Sequence, residues 1–507
     1  MGYLELVFGT LTVAFLSLVW SFLVSIALTP YFKAKRMREQ GVRGPKGSFW
    51  SGCVEEISHM KAASREMVMD INSHDYLNKV VPHYVKWISQ YGGTFLYSVG
   101  RKPRLCISDP DLVKQVLSNK FGFYMKLDSG TEVAALLGNG LVLTEGEQWA
   151  RHRRVVSPAF TMDRIKTMTR TMADCAKSML DKLHNKKEVE IGTMLKELTA
   201  DIISHTAFGS SYSAGKEVFF AQNELQMIVL ASFLKLELPI KKYLPTEINK
   251  RRWMLEKKLR ETLMGIIEKR LASKEVGYGN DLLGLMMEAC MSEKQEEINM
   301  SMDEIIDECK TFFFAGHETT SHLLTWTMFL LSTHQEWQQK LREEVLSECG
   351  KEIPDSNKIS KLKWMTMVVF ETLRLYSPVS LIGRTACKDT KLGNLMIPKG
   401  MDIIIPIAII HHSKEVWGPD ANEFNPLRFE NGVSKAAKHP NAMMAFSIGP
   451  RACVGQSFAL MEAKTVLCMI LQRFSFTIST DYKHMPADMI TLQPQKGLPI
   501  ILRPLKA

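Results

Sequence analysis

The stretch FSIGPRACVG, residues 446–455, holds one of the nine cysteines in a chain of 507 residues. Downstream, SFALMEAKTVLCMILQRF (457–474) puts Phe458, Ala459, Ala463, Val466, Leu467 and Ile470 on one helical stripe. That periodicity predicts a helix starting just after Cys453. Free backbone N–H groups at a helix start favour a thiolate and lower the thiol pKa. Gly449 and Gly455 let the backbone approach something large and flat, and Arg451 suits a carboxylate on the same object.

Together these features specify a haem, with sulfur on iron, arginine on a propionate and backbone against the macrocycle. A buried thiol in a loop would account for the cysteine alone. It does not account for F-x-x-G-x-R-x-C-x-G, opened by Phe446, whose chance occurrence in a chain this long is roughly one in ten thousand.

Bulk properties agree with a large folded body. Apolar residues make up 46% and charged residues 23%, which excludes disordered, collagenous and disulfide-scaffold classes. The formal charge of +10 suits anionic lipid or an acidic protein partner. No zinc-finger or RRM signature supports nucleic acid. The cysteines are odd in number, widely spaced and without a CxxC pair, so they read as reduced thiols. Leu6 to Thr29 carries no charge for 24 residues, and as a helix would reach about 36 Å, enough for a bilayer core. Lys33, Lys35, Arg36 and Arg38 follow, which orients the body to the cytosol. The chain therefore divides into an anchor (1–30), a basic Gly/Pro linker (31–47) and one large domain (48–507). Within that domain helix dominates, with strands expected at GTFLYSV and RLCISD near 93–109 and at GMDIIIPIAII (400–410). VGYGN (276–280) and MSEKQEEIN (291–299) read as exposed loops, and 249–274 as a helix with a solvated basic face.

The 446–455 string resembles the haem-ligand loop of the cytochrome P-450 monooxygenases, and the resemblance runs over nearly the whole chain after the anchor. It implies a mainly α fold with small β-sheets, a haem b with Cys453 as axial thiolate, and membrane tethering in the endoplasmic reticulum. FFFAGHETTSHLLTW (312–326) is an apolar helix interrupted by Gly316, Glu318, Thr319 and Thr320. A threonine hydroxyl bonded to the backbone one turn back can open such a helix beside a diatomic ligand. The A-G-x-E-T-T string is similar to the family's oxygen-binding motif, which implies that Thr319 steadies oxygen and Glu318 serves proton delivery. His317 and His322 read as packing or surface residues. FETLRL puts Glu371 and Arg374 at i and i+3 on one helix face, and the resemblance adds Arg428 to a core network beneath the haem. Trp149 and Arg153, at i and i+4, would join Arg384 and Arg451 around the propionates.

A thiolate ligand favours O–O cleavage over oxygen carriage. The resemblance implies a monooxygenase that uses O2 and NADPH-derived electrons. No convincing G-x-G-x-x-G follows a strand, so a membrane-bound flavoprotein reductase is the implied donor. WARHRRVVSPAFTMDRIK and ECKTFFFAGHETTSHLLTWTMFLL look most like a plant clan that hydroxylates cytokinins, brassinosteroids, gibberellins, other terpenoids and fatty acids. Pocket candidates at 124–140, 227–239, 380–383 and 491–495 are apolar, which implies a lipophilic substrate. A lyase or isomerase working without external electrons, or a non-catalytic haem sensor, is the rival; Glu318 and Thr319 argue against both.

Overall fold

The computed structural model describes residues 2–183, 186–210, 212–232, 243–272, 277–291 and 299–505. Its centre is a helix of 32 residues, Met302–Thr333, about 48 Å long. Ser301 starts it with a capping box: its hydroxyl accepts from the Glu304 N–H and the Glu304 carboxylate accepts from the Ser301 N–H, so two orphan donors are satisfied. From Thr311 to Ser332 only Ala315, Gly316 and Thr319 are not buried. Helix Ile191–Phe208 packs along it, and Phe208 stacks on Phe313 with ring centroids 4.1 Å apart. At Gly316 the two helices pack closely enough that a Cβ there would lie 2.7 Å from Ile203 Cγ1. The break in apolar character at Gly316 therefore answers a packing demand from a neighbouring helix.

Strands Thr94–Val99 and Lys102–Ile107 form where the alternation predicts them. They lead a five-stranded sheet completed by Asp402–Ile405, Ile382–Ala386 and Tyr124–Lys126. The strand expected over 400–410 stops at Ile405, because Pro406 cannot continue the ladder and Ile407–His411 turns into a short helix. In the last pair, Lys126 stands opposite Arg384.

The N-terminal region forms helix Gly2–Leu23, a wider turn Val24–Leu28 and helix Thr29–Glu39. Among the described residues no helix is long and apolar enough to cross a membrane. Leu6, Phe8, Leu11, Val13, Phe15, Leu16 and Trp20 are exposed. Helix Thr29–Glu39 is docked rather than free. Met37 is fully buried, the Lys33 ammonium donates to Gly400 O at 2.9 Å, Arg36 pairs with Asp389, and Gln40 bonds both to Met396 O and from Met396 N. The Gly/Pro segment after it lies along the first strand, with Leu96 N donating to Arg43 O.

Helix Glu247–Ala272 covers 249–272 of the basic stretch, and 273–274 lie outside the described residues; Leu255, Leu259, Leu263 and Ile267 bury one face, and Arg252 is buried beside Glu132 and Glu256. Of the two loops expected, 277–280 is irregular chain, whereas 292–298 lies outside the described residues.

Candidate active site

Helix Gln456–Arg473 begins three residues after Cys453. The preceding loop is closed by Cys453 N donating to Phe446 O at 2.9 Å and Ala452 N donating to Gly449 O at 3.0 Å. Gly449 has φ +77°, and a Cβ on it would fall 2.3 Å from Leu117 O. Only glycine fits there, for both torsional and steric reasons. Gly455 differs. A Cβ would meet nothing closer than Cys453 Sγ at 3.9 Å and a Phe160 ring carbon at 4.0 Å, so its small size leaves room on the sulfur's side. Cys453 has exposed surface, yet burial is the main influence on its thiol and pushes its pKa up. Both facts hold when the sulfur faces an internal space. The lowered pKa expected from the helix start is not realised, because the Gly455 N–H and the Arg153 charge only partly offset desolvation.

Beside the sulfur lies a group of cations. Arg153, on helix Gly146–Val156, donates to Ala452 O at 3.2 Å. Arg451 is stacked over the Trp149 ring at 4.2 Å, donates to Thr144 O at 2.8 Å and pairs with Glu145. Glu145 also accepts from Lys126 N at 2.7 Å. Arg384 is buried and its only side-chain bond among the described residues goes to the adjacent Gly383 O. The Lys126 ammonium has no acceptor among them. Burial and the Arg384 and Arg451 charges push Lys126 down to about 7, and burial with the Arg451 charge lowers Arg384 to about 10. Lys126, Arg384 and Arg451 thus share one carboxylate, Glu145, with Arg153 close to Arg451 and the thiol. Such a cluster fits a flat group with two carboxylates, and the thiol and the bare Gly455 fit its metal and face. Arg451 and Trp149, both expected on a propionate, are in addition bound to each other.

On the long helix, the Thr319 hydroxyl donates to Ala315 O at 2.8 Å, the backbone bond one turn back that the sequence predicts. Ala315 and Thr319 stand one turn apart and are both half-open. Glu318 points elsewhere and is fully buried. Its Oε1 accepts from Gln226 at 2.9 Å and Thr491 at 3.2 Å and lies 3.2 Å from His322 Nε2; its Oε2 lies 2.9 Å from the Lys196 ammonium. Burial would raise this carboxyl, but the His322 bond and the His322, Lys196 and His317 charges outweigh it and hold the pKa well below the carboxylate range. His317 bonds to Phe313 O and burial takes it down to about 4. Both histidines are buried within the helix packing.

Glu371 and Arg374 form a fully buried bidentate pair, both bonds 2.7 Å. A buried pair needs its remaining donors satisfied. Arg374 does so on His411 O, Ala421 O and Glu423 O, and Glu371 accepts from Asn425 N. Arg428 joins at 3.6 Å from Glu371 and pairs with Asp420 at 2.8 Å.

Three participants escape sequence reading. Lys126 and Glu145 reach the cation cluster through strand register and a turn, and Lys196 reaches Glu318 from another helix, so no local spacing marks them. Next to Thr491, Ile490 is a β-branched residue at φ +75° between paired strands Pro486–Met489 and Thr491–Pro494. That backbone region is strained for isoleucine. Of the expected pocket segments, 233–239 lies outside the described residues.

A helical body with small sheets, a loop-borne thiol facing inward and cations set for two carboxylates define a haem-thiolate protein. The chain matches the Cytochrome P450 family over residues 71–501 and belongs to it. Curated relatives include Cytochrome P450 709B1 of Arabidopsis thaliana, 50% identical over 97% of this chain and 96% of its own length. Cytochrome P450 709B3 of the same plant is 49% identical over 96% of each, and a Cytokinin hydroxylase of that plant is 41% identical over 94% of each. The family's cofactor is haem with iron and a cysteine thiolate axial ligand, and its activity is that of a monooxygenase.

Proposed function

We propose that this protein is a membrane-attached monooxygenase of the endoplasmic reticulum, with its body in the cytosol. It hydroxylates a lipophilic small molecule, a fatty acid or an isoprenoid or hormone such as a cytokinin or terpenoid, with electrons from an NADPH-dependent flavoprotein reductase. The observation that carries the haem assignment is the inward-facing Cys453 beside Arg153, together with the half-buried Lys126 and buried Arg384, cations short of anions. Cys453 would hold the iron, and Arg153, Arg384, Arg451 and Lys126 the propionates, with Trp149 bracing Arg451. The haem, when bound, supplies the redox chemistry that splits dioxygen. Thr319 presents its hydroxyl oxygen, whose proton is held on Ala315 O, to the space beside Ala315. Glu318 holds a negative charge next to Lys196, whose side chain reaches solvent, and so links the buried carboxylate to a proton source. Glu371, Arg374 and Arg428 tie the end of their helix to the chain at 411 and 417–425 and touch no reactant. The exposed apolar side chains of helix Gly2–Leu23 support attachment to lipid, and the relatives' names support hormone hydroxylation.

Microsomes carrying this protein and a reductase, given NADPH and a panel of fatty acids, cytokinins and terpenoids, should yield a product one oxygen heavier by mass spectrometry. Thr319→Ala should keep the haem but divert NADPH electrons to peroxide. Tight coupling in that variant contradicts the role given to Thr319.

A further inference from the structure

Two turns along the long helix from Thr319 stands Trp326, fully buried, seven residues or about 10 Å further on. Its indole is stacked on Tyr376, centroids 4.2 Å apart and planes 14° from parallel, and its N–H donates to Leu492 O. Tyr376 is also fully buried, yet its hydroxyl lies between two imidazoles, 2.9 Å from His74 Nδ1 and 3.3 Å from His484 Nε2. The other nitrogen of His484, Nδ1, is 2.9 Å from the Tyr482 hydroxyl, and Tyr482 is only half-buried. Burial takes His74 down to about 3 and His484 to about 4, so both rings are neutral at pH 7 and each offers one lone pair.

Packing alone asks less of these residues. A buried tyrosine needs one partner for its hydroxyl. Here a Trp–Tyr stack leads from the helix that carries Thr319 to a tyrosine with a proton acceptor at hand, and a histidine joins that tyrosine to another reaching solvent. One assignment of protons satisfies all three bonds: Tyr482 O–H donates to His484 Nδ1, His484 Nε2–H donates to Tyr376, and Tyr376 O–H donates to His74 Nδ1.

We propose that Trp326, Tyr376 and Tyr482 form a chain that returns electrons to an over-oxidised haem when no substrate is bound, carrying the oxidising equivalent to Tyr482 at the surface. The inference rests on the haem-monooxygenase reading above. Tyr376, through the stacked Trp326, gives one electron to a haem oxidised by a peroxide or peracid. Its O–H bond breaks and the proton goes to His74 Nδ1, leaving a neutral tyrosyl radical. Tyr482 then refills it. One electron passes from Tyr482 to Tyr376, His484 gives its Nε2 proton to the Tyr376 oxygen and takes the Tyr482 proton on Nδ1. A soluble thiol or ascorbate donates a hydrogen atom to the Tyr482 radical. The net change is one electron to the haem, one proton to His74 and one hydrogen atom drawn from the reductant.

The test mixes the full-length holoprotein with a peracid, without substrate, and freezes it for electron paramagnetic resonance; protein grown with deuterated tyrosine identifies the radical by a narrowed signal. The wild type should give a tyrosyl signal that ascorbate removes. Tyr482→Phe should keep a tyrosyl signal that ascorbate removes more slowly. Tyr376→Phe, checked for fold by its ferrous carbonyl spectrum, should lose the signal and bleach its haem faster. A holoprotein with an intact thiolate-type spectrum but no tyrosyl signal, or a Tyr376→Phe variant with an undiminished one, overturns this inference alone. Absence of a thiolate-type spectrum in the wild type overturns the functional reading and this inference with it.

Discussion

Lys126 is the residue whose state depends most on what the site holds. Its ammonium sits at about 7 because it is buried among arginines, so in the haem-free protein it binds its proton less tightly than in the unfolded chain. Between pH 7 and the ordinary lysine value of 10.5 the unfolded state holds more protons, and stability from this group must rise with pH. Denaturant titrations of the apoprotein should show that rise, and Lys126→Met should flatten it; a rise unaffected by the substitution contradicts the burial of this charge. Glu318 gives a slope of the same sign in a lower pH window, but here it is the charged form that the fold stabilises. Its pKa is depressed below 4.5, so its contribution is complete above about that pH and is lost as pH falls toward the folded value. Glu318→Gln should therefore reduce the acid loss of stability below pH 4.5, measured on the same titrations; an unchanged acid limb would mean that the Lys196 and His322 contacts add nothing.

At the level of elements, the contact between helices Ile191–Phe208 and Met302–Thr333 turns on Gly316. Replacing it by alanine gains about 1 kcal/mol of helix propensity, but the new Cβ lies 2.7 Å from Ile203, and overpacking costs about 1–3 kcal/mol. Gly316→Ala should thus be neutral to destabilised by about 2 kcal/mol. Ile203→Ala beside it should recover part of the loss, so that the double variant is more stable than the sum of the singles; strict additivity removes the steric explanation. These elements also mark how far the sequence can be read. The helix after Cys453, the long helix and the first two strands are legible, since each is a run of one period. The 400–410 strand is overread because apolar character continues past Pro406 after the ladder has ended. The Cys453 loop and the Glu371–Arg374 pair are legible because their residues are near neighbours in sequence. Lys126, Glu145 and Lys196 are not, since strand register and helix packing between distant segments bring them in.

The molecule as a whole divides differently from its composition. Lys33 and Arg36 look like linker charges, but helix Thr29–Glu39 is bonded to Gly400 and Asp389 and buries Met37. Deleting residues 2–28 should release the protein from membranes and leave a folded haem domain. Deleting 2–41 removes Met37 from the core as well, and losing a buried methionine side chain costs about 2–5 kcal/mol. Thermal unfolding of the two truncations should differ accordingly, and equal midpoints would show that the docked helix contributes nothing.

The account as a whole depends on Cys453 as iron ligand, and the most direct measurement is the absorption spectrum of the dithionite-reduced, carbon monoxide-bound protein. The wild type should show the red-shifted Soret band of a thiolate-ligated ferrous carbonyl, and Cys453→Ala should abolish it. A wild-type band of the histidine-ligated type, or a thiolate band that survives in Cys453→Ala, would contradict the assignment.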